Sequence, residues 1–504
     1  MDQKIVEAAR KSFPSSPNSV VLGAVMHTGE THPEPLARIP LAVLNRHGLI
    51  AGATGTGKTK TLQLLAEQLS AASVPVFIAD IKGDLQGVAT AGSANDKINQ
   101  RASETGYRWQ PTGFPVEFLS LTGMNGAQVR ATVSSFGPLL LAKVLDLNET
   151  QTSVLTLVFE YCDKNKLLLL DFADLRAVLD YLSGEGAAEL KSYGGMSKQT
   201  VGVLGRKMIE LERQGANAYF GEPEFELEDL MRVASDGRGI VSVLELNDVQ
   251  DRPAIFSTFL LWLLASLFNE LPEVGDVDKP KLVFFFDEAH LLFEGASKAL
   301  REQVEQVVRL VRSKGVGVFF VTQNPRDIDQ DVLAQLGHRI QHALRAYTPN
   351  DEKTLRAAAR TFPKTAFYDI EETLTTLGIG EALVSVLGSN GVPTEPFVVK
   401  LIPPAARMAP LEENELKVEL QRSAQVRKYA TDLDRESARE VLATRVQQAE
   451  AAVEQPAPAR TTAARRTREP PTALEQVLKS PMARTVAGAV TRGLMGALLG
   501  RRRR

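Results

Sequence analysis

The chain has 504 residues, of which 44% are apolar or aromatic and 24% charged; this excludes bulk disorder and allows one large domain with an insertion, or two to three units. A single cysteine, Cys162, excludes an intramolecular disulfide framework and any four-cysteine zinc site, and fits a reducing cytosolic compartment. The formal net charge of −3 hides a division: residues 460–504 hold 11 Lys/Arg against 2 Asp/Glu, while the rest holds 47 basic against 59 acidic residues, so an acidic body bears a basic tail.

The first residues, MDQKIVEAARKSF, contain no apolar segment of the kind a secretory signal needs. From Ser19 to Asn247, and again from Lys281 to Ile402, short apolar runs alternate with longer amphipathic segments, the rhythm of a mostly parallel sheet wound with helices. Strands are predicted at HGLIAG (47–52), VPVFIADI (74–81), VEFLSL (116–121), GIVSVLEL (239–246), LVFFFD (282–287) and VGVFFVTQ (316–323). Several are apolar at nearly every position, as strands buried on both faces are.

The polar stretch from Lys97 to Arg108 reads as a solvated loop, with contact to a nucleic-acid backbone as the alternative. Residues 143–232 have helical spacing and no strand-like run, which predicts an all-helical insertion between two parts of the sheet domain, 18–142 and 233–402. Pro253 to Asn269 is apolar but shorter than the roughly 20 residues of a membrane span, so it reads as a buried helix. After Ile402 the prolines of PPAARMAP mark a boundary, and a charged helical segment occupies 403–454. Residues 455–473, rich in Pro, Ala, Thr and Arg, read as a disordered linker.

Gly52, Ala53, Thr54, Gly55, Thr56, Gly57, Lys58 and Thr59 fit G-x-x-x-x-G-K-[ST], between a strand and a helix. Glycines let the backbone turn tightly enough to converge several N–H donors on phosphate oxygens, and Lys60 is counted with these residues as nucleotide-binding. In such a loop Lys58 reaches the β- and γ-phosphates and the Thr59 hydroxyl coordinates Mg²⁺. Far along the chain, Val283 to Phe286 deliver Asp287 and Glu288 to the carboxyl end of a buried strand, where ligands of open α/β sheets bind. Asp287 is the candidate second metal residue and Glu288 the candidate base toward an attacking water. Gln323 ends another apolar strand and is placed to sense a terminal phosphate if that strand neighbours the one bearing Asp287. His290 reads as a packing residue beside the site.

Taken together, VVLGAVMH, LNRHGLIAGATGTGKTKTL, FIADIKGDLQGVA, FFFDEAHLLF and GVGVFFVTQNPRDI resemble the HerA/FtsK superfamily of P-loop ATPases, and more closely its bacterial HerA-like, YjgR-type branch. The resemblance implies a RecA-like fold, ATP and Mg²⁺ as cofactors, a hexameric homo-oligomeric ring, and double-stranded DNA as substrate, with a nuclease among candidate partners. It also implies roles for Asp80 and Lys82 near the site, and an arginine donated by a neighbouring subunit, for which Arg312, Arg339 and Arg345 are candidates. The chain ahead of Gly52 is too short for the N-terminal β-barrel of archaeal HerA.

In residues 474–504, Leu474, Leu478, Met482, Val486, Val490, Leu494 and Leu498 recur every fourth position before GRRRR, a stripe that winds around a helix. Packing on a domain, an interfacial membrane contact and nucleic-acid binding are the three readings of this tail. Two functions follow: a cytoplasmic, ring-forming DNA motor that hydrolyses ATP, or an ATP-driven scaffold peripheral to the inner face of the membrane.

Overall fold

The computed structural model describes residues 3–190, 194–275, 277–293, 298–431, 433 and 435–454, without the side chains of 253–254, 299–300 and 452–454. The predicted linker 455–473 and tail helix 474–504 lie outside the described residues. The chain divides into two units, 1–446 and 447–504; of the second, only the end of the helix Ala438–Glu454 is described.

One sheet of twelve strands organises the first unit. In chain order they are β1 (Ser19–His27), β2 (Glu30–Pro40), β3 (Gly48–Ala51), β4 (Val76–Asp80), β5 (Val116–Ser120), β6 (Ala127–Gln128), β7 (Val241–Glu245), β8 (Leu282–Phe286), β9 (Val316–Thr322), β10 (His338–Gln341), β11 (Glu381–Ser385) and β12 (Phe397–Leu401). Their spatial order is β2-β1-β12-β11-β10-β3-β9-β8-β4-β7-β5-β6. Every pairing from β10 through β6 is parallel, and β2, β1, β12 and β11 extend the sheet antiparallel.

The six predicted strands are β3, β4, β5, β7, β8 and β9, all in the parallel part. The antiparallel extension is not among the predicted strands: β2 holds Pro33, Pro35 and Pro40 and lies at the sheet edge, where a missing N–H costs no ladder bond, and β11 and β12 carry Glu381 and Lys400, whereas β1, apolar from Val20 to Met26, carried a signal that was there to be read. The expected loop over 97–108 is instead the helix Asp96–Thr105. Asn95 caps it by accepting from Ile98 N at 2.9 Å, and Gly106 in a left-handed conformation ends it, two local signals that outweigh its polar composition.

Alternation along β8 and β9 divides the core. Phe284, Phe286, Val318 and Phe320 pack on one face, Val283, Phe285, Phe319 and Val321 on the other. Cross-strand rings stack, Phe286 on Phe320 at 5.6 Å and Phe285 on Phe319 at 5.2 Å. The helix Lys58–Ala71 covers the second face with Leu62, Leu65, Ala66 and Leu69, and the helix Pro253–Glu270 covers the first with Phe256, Leu260 and Leu263. Among the described residues no helix is long and apolar enough to cross a membrane.

The helices Val133–Val144, Glu149–Asn165, Phe172–Ser183 and Lys198–Arg213 follow β6 and add to the first face. The helical stretch thus starts at Val133, ahead of the expected boundary at 143. Cys162 is buried in the second of these helices, and burial pushes its thiol up to about 12, so it is unreactive.

After β12 the chain crosses back over the helix Lys58–Ala71 as a strap. Ala405 and Ala406 donate their backbone N–H groups to Glu67 at 2.7 and 3.1 Å, Trp109 Nε1 donates to Pro404 O at 2.8 Å, and Arg407 makes a two-pronged pair with Glu415 at 2.6 and 2.8 Å. The proline-marked segment is therefore docked on the sheet unit and is not a free linker.

Phe285→Ala removes a ring buried between β9 and the helix layer and should cost about 3–5 kcal/mol in denaturant unfolding. Val418→Ala, on an exposed helix face, should shift stability by less than about 0.5 kcal/mol.

Candidate nucleotide site

Because β3, β9, β8 and β4 are parallel and adjacent, their carboxyl ends share one edge of the sheet. From that edge emerge the Gly52–Gly57 turn after β3, Gln323 after β9, Asp287 and Glu288 after β8, and the turn from Ile81 to Asp84 after β4. Strands lie about 4.8 Å apart, so the glycine turn and the carboxylate pair stand roughly 10 Å apart with β9 between them.

The turn is fixed by its neighbours. Gly52 N donates to Thr322 O at 3.2 Å, Ala53 N to Ala343 O at 2.8 Å, and Gly380 N to Thr56 O at 2.9 Å. Gly52 has φ 153°, and a Cβ there would sit 2.5 Å from the Cβ of His342. Gly57, at φ 114°, precedes the helix Lys58–Ala71 without supplying any side-chain cap, and no acidic residue stands in the first turn. The helix therefore presents uncapped N–H groups and the positive end of its dipole, a site suited to an anion.

Lys58 is 8% exposed, and its Nζ donates to Ala53 O at 3.2 Å. Burial pushes its pKa below the ordinary lysine value, against the opposing pull of Glu288 and Asp287. The two motifs, more than two hundred residues apart in sequence, thus lie at one edge of the sheet, near enough for their charges to act on one another. Thr59 is half-buried in the same first turn. Lys60 is turned elsewhere: its Nζ donates to Met408 O in the strap at 2.6 Å, so its ammonium does not join the phosphate cradle.

Asp287 is buried, with Oδ1 accepting from Glu288 N at 2.9 Å and Oδ2 left without a hydrogen-bond partner. Burial, then Glu288 and Asp80, raise its pKa to about 7. Carboxylate oxygens of Asp80, Asp84 and Asp287 lie within 4.8 Å of one another. Asp80 is engaged by its own turn, accepting from Lys82 N, Gly83 N and Leu85 N at 3.1, 2.8 and 2.9 Å. Asp84 Oδ1 and Asp287 Oδ2 are the orphaned buried oxygens, and hard oxygen donors without partners fit a magnesium ion. Asp84 was missed from sequence; the acid four residues beyond Asp80, in DIKGD, was the signal.

Glu288 has left-handed backbone angles, φ 47° and ψ 48°. Its Oε1 accepts from Lys82 Nζ, and its Oε2 faces His290 Nδ1 at 3.4 Å. Burial works against its ionisation, but the Lys82 ammonium outweighs that and holds the carboxyl below the usual glutamate range. Gln323 Oε1 accepts from Thr54 Oγ1 at 3.2 Å, which puts the tip of β9 against the glycine turn and beside the strand bearing Asp287. Of the three arginines, Arg345 is exposed beyond the carboxyl end of β10. Arg339 lies half-buried within β10, and Arg312 precedes the amino end of β9, at the opposite edge from the site.

Beside Gly57, Lys60 and Thr61, on the strap side of the helix, lies a mainly apolar cavity of about 280 Å³ walled by Ile98, Leu401 and Pro404. Arg101 borders it, donating to Gly380 O and Ile379 O, each at 2.9 Å.

Residues 26–504 match the family described as helicase HerA-like, C-terminal. The chain belongs to that family. A probable helicase of Methanocaldococcus jannaschii, MJECL08, is 24% identical to this HerA-like chain over 363 residues, 68% of the chain and 63% of that protein. The DNA double-strand break repair helicase HerA of Sulfurisphaera tokodaii is 25% identical over 356 residues, 69% of the chain and 63% of that protein. The HerA-like chain therefore spans less than two thirds of the length of these relatives. Among solved structures, the bacterial conjugative coupling protein TrwBdeltaN70 is similar at a TM-score of 0.50 and 16% identity, over 80% of this chain and 92% of that one. The fold is that of a RecA-like P-loop ATPase, with its mostly parallel sheet.

The raised pKa of Asp287 has a measurable sign. An unfolded aspartate loses its proton near 3.8, whereas folded Asp287 keeps it to about 7, so between those values rising pH favours the unfolded chain. Asp287→Asn should therefore raise the melting temperature of the metal-free protein at pH 8 and leave it nearly unchanged at pH 4. Melts in EDTA at the two pH values measure this, and magnesium should narrow the pH 8 difference.

Proposed function

We propose that this HerA-like chain is a Mg²⁺-dependent ATP hydrolase that works as a ring-forming motor on double-stranded DNA. The observation that carries the hydrolase reading is the meeting of buried Lys58 with the Asp287–Glu288 pair beside an uncapped helix N-terminus. Backbone N–H groups from Gly52 to Lys60 receive the phosphates, and Lys58 releases Ala53 O to bind the β- and γ-phosphates. Thr59 and Asp287 would hold the magnesium, with Asp84 beside them, and the bound ion supplies charge neutralisation at the terminal phosphates. Glu288 accepts a proton from the attacking water, and Gln323, already on Thr54, senses the terminal phosphate. The apolar cavity beyond Gly57 receives the base. Arg345, exposed at the same edge, is the arginine offered to a neighbouring subunit's site.

In this reading residues 18–142 and 233–402 form the motor core and the helices between them an insertion for partner contacts. Family membership and a relative named for DNA double-strand break repair support duplex DNA as the substrate; a hexameric assembly and a nuclease partner rest on the HerA/FtsK resemblance alone. The single buried cysteine is in keeping with a cytoplasmic setting.

Lys58→Ala should abolish ATP binding, whereas Glu288→Gln should retain binding and lose roughly 100-fold or more in turnover. Duplex DNA should stimulate the wild-type rate, with the stimulation fading as salt rises. Ordinary turnover in the Glu288 variant would refute its role as base, and a rate indifferent to DNA at every salt concentration would refute the DNA motor. Sedimentation in the presence of nucleotide measures the ring.

A further inference from the structure

The ion pair between Lys82 and Glu288 has no place in the hydrolysis scheme above, yet it holds a cation against one oxygen of the candidate base and so opposes uptake of a proton by that carboxylate. Lys82 Nζ donates to Glu288 Oε1, and Glu288 Oε2 has no hydrogen-bond partner. The backbone at Lys82 is anchored, since its N–H and those of Gly83 and Leu85 are all spent on Asp80. Its side chain is the movable part, 46% exposed against 6% for that of Glu288. The Lys82 ammonium also faces the same pocket as Lys58, close enough that each charge acts on the other. A terminal phosphate held at Lys58 would thus lie within the field of Lys82, and it carries more negative charge than the single carboxylate that Lys82 now pairs with.

Resting on the ATP-hydrolase reading, we propose that Lys82 is a ligand for the terminal phosphate of a nucleoside triphosphate, parked on Glu288 while the site is empty, and that its transfer to the phosphate frees Glu288 to act as base. The device ties release of the base to the presence of the third phosphate. A diphosphate, lacking that group, leaves Lys82 on Glu288 and the base engaged. Lys82 is then a specificity-determining residue for triphosphate over diphosphate, and Glu288 competes with the substrate for it.

Equilibrium binding of the β,γ-imido analogue of ATP and of ADP, both with magnesium, to the full chain tests this. Lys82→Met should weaken the triphosphate analogue by about tenfold or more, the worth of a charge-assisted hydrogen bond, and change ADP affinity by less than about twofold. Lys82→Arg, which keeps the cation, should restore most of the discrimination. Glu288→Gln, which weakens the parking contact, should tighten the analogue and leave ADP unchanged. Equal weakening of both nucleotides by Lys82→Met would assign Lys82 a structural role and overturn the proposal, as would no change in either. If the wild-type chain bound neither nucleotide, the nucleotide-site reading itself would fail. Lys82 lies on a surface turn, and a melting curve for each variant separates lost binding from lost folding.

Discussion

The site depends on charges that the fold withdraws from water without fully pairing them. Lys58, Asp287 and Glu288 are all less than a tenth exposed, and Asp84 and Asp287 each keep an oxygen without a partner. Buried charge of this kind is costly unless something compensates it. The helix N-terminus and Lys58 favour an anion, while the orphaned carboxylate oxygens on the same edge of the sheet favour a cation. A metal–polyphosphate brings both in one ligand, and neither a simple anion nor a simple cation would satisfy the whole set.

Such a pocket works only if its walls hold still, and the sheet supplies that stiffness. Phe284, Phe285 and Phe286 are locked from both faces, so the tip of β8 has little freedom to retreat from the charges it carries. The glycine turn is tied to Thr322 at the end of β9, to Ala343 after β10 and to Gly380 before β11. The antiparallel extension, which holds none of the candidate chemistry within its strands, thereby buttresses the loop, since β11 follows Gly380 directly; from the parallel part, His342 after β10 fills the space beneath Gly52. On the far side of the helix Lys58–Ala71, Glu67 and Lys60 fasten the strap.

The parts legible in the sequence were those in which one segment states its own geometry. Val283–Phe286 reads as a two-faced buried strand because every position is apolar, and G-x-x-x-x-G-K-T reads as a phosphate turn because its glycines and lysine are local. What stayed hidden was relational. Lys60 looked like part of the cradle, yet its ammonium is claimed by Met408, a residue distant in sequence. Asp84 joins Asp287 only because β4 and β8 pair, and His342 and Gly380 support the loop through β10 and the turn before β11. Short strands such as His338–Gln341 carry polar residues that satisfy local partners, His338 Nε2 meeting Val43 O at 2.9 Å, so apolar runs could not reveal them.

Two adjacent acids at a strand end pose a geometric problem of their own. Along an extended strand, successive side chains point to opposite faces, so Asp287 and Glu288 in regular β geometry would be split, one toward the ligand and one away from it. The left-handed conformation at Glu288 breaks that alternation, at a cost of about 1–2 kcal/mol for a residue with a Cβ. The turn is held in return: Glu288 N donates to Asp287 Oδ1, Leu291 N donates to Glu288 O at 3.0 Å, and the short helix Ala289–Leu292 follows. With both backbone groups of Glu288 committed, only its side chain remains free to move, and its charge acts on Lys58. The strained residue is what places both carboxylates over one pocket, which is why the strain sits at Glu288 and not elsewhere along β8.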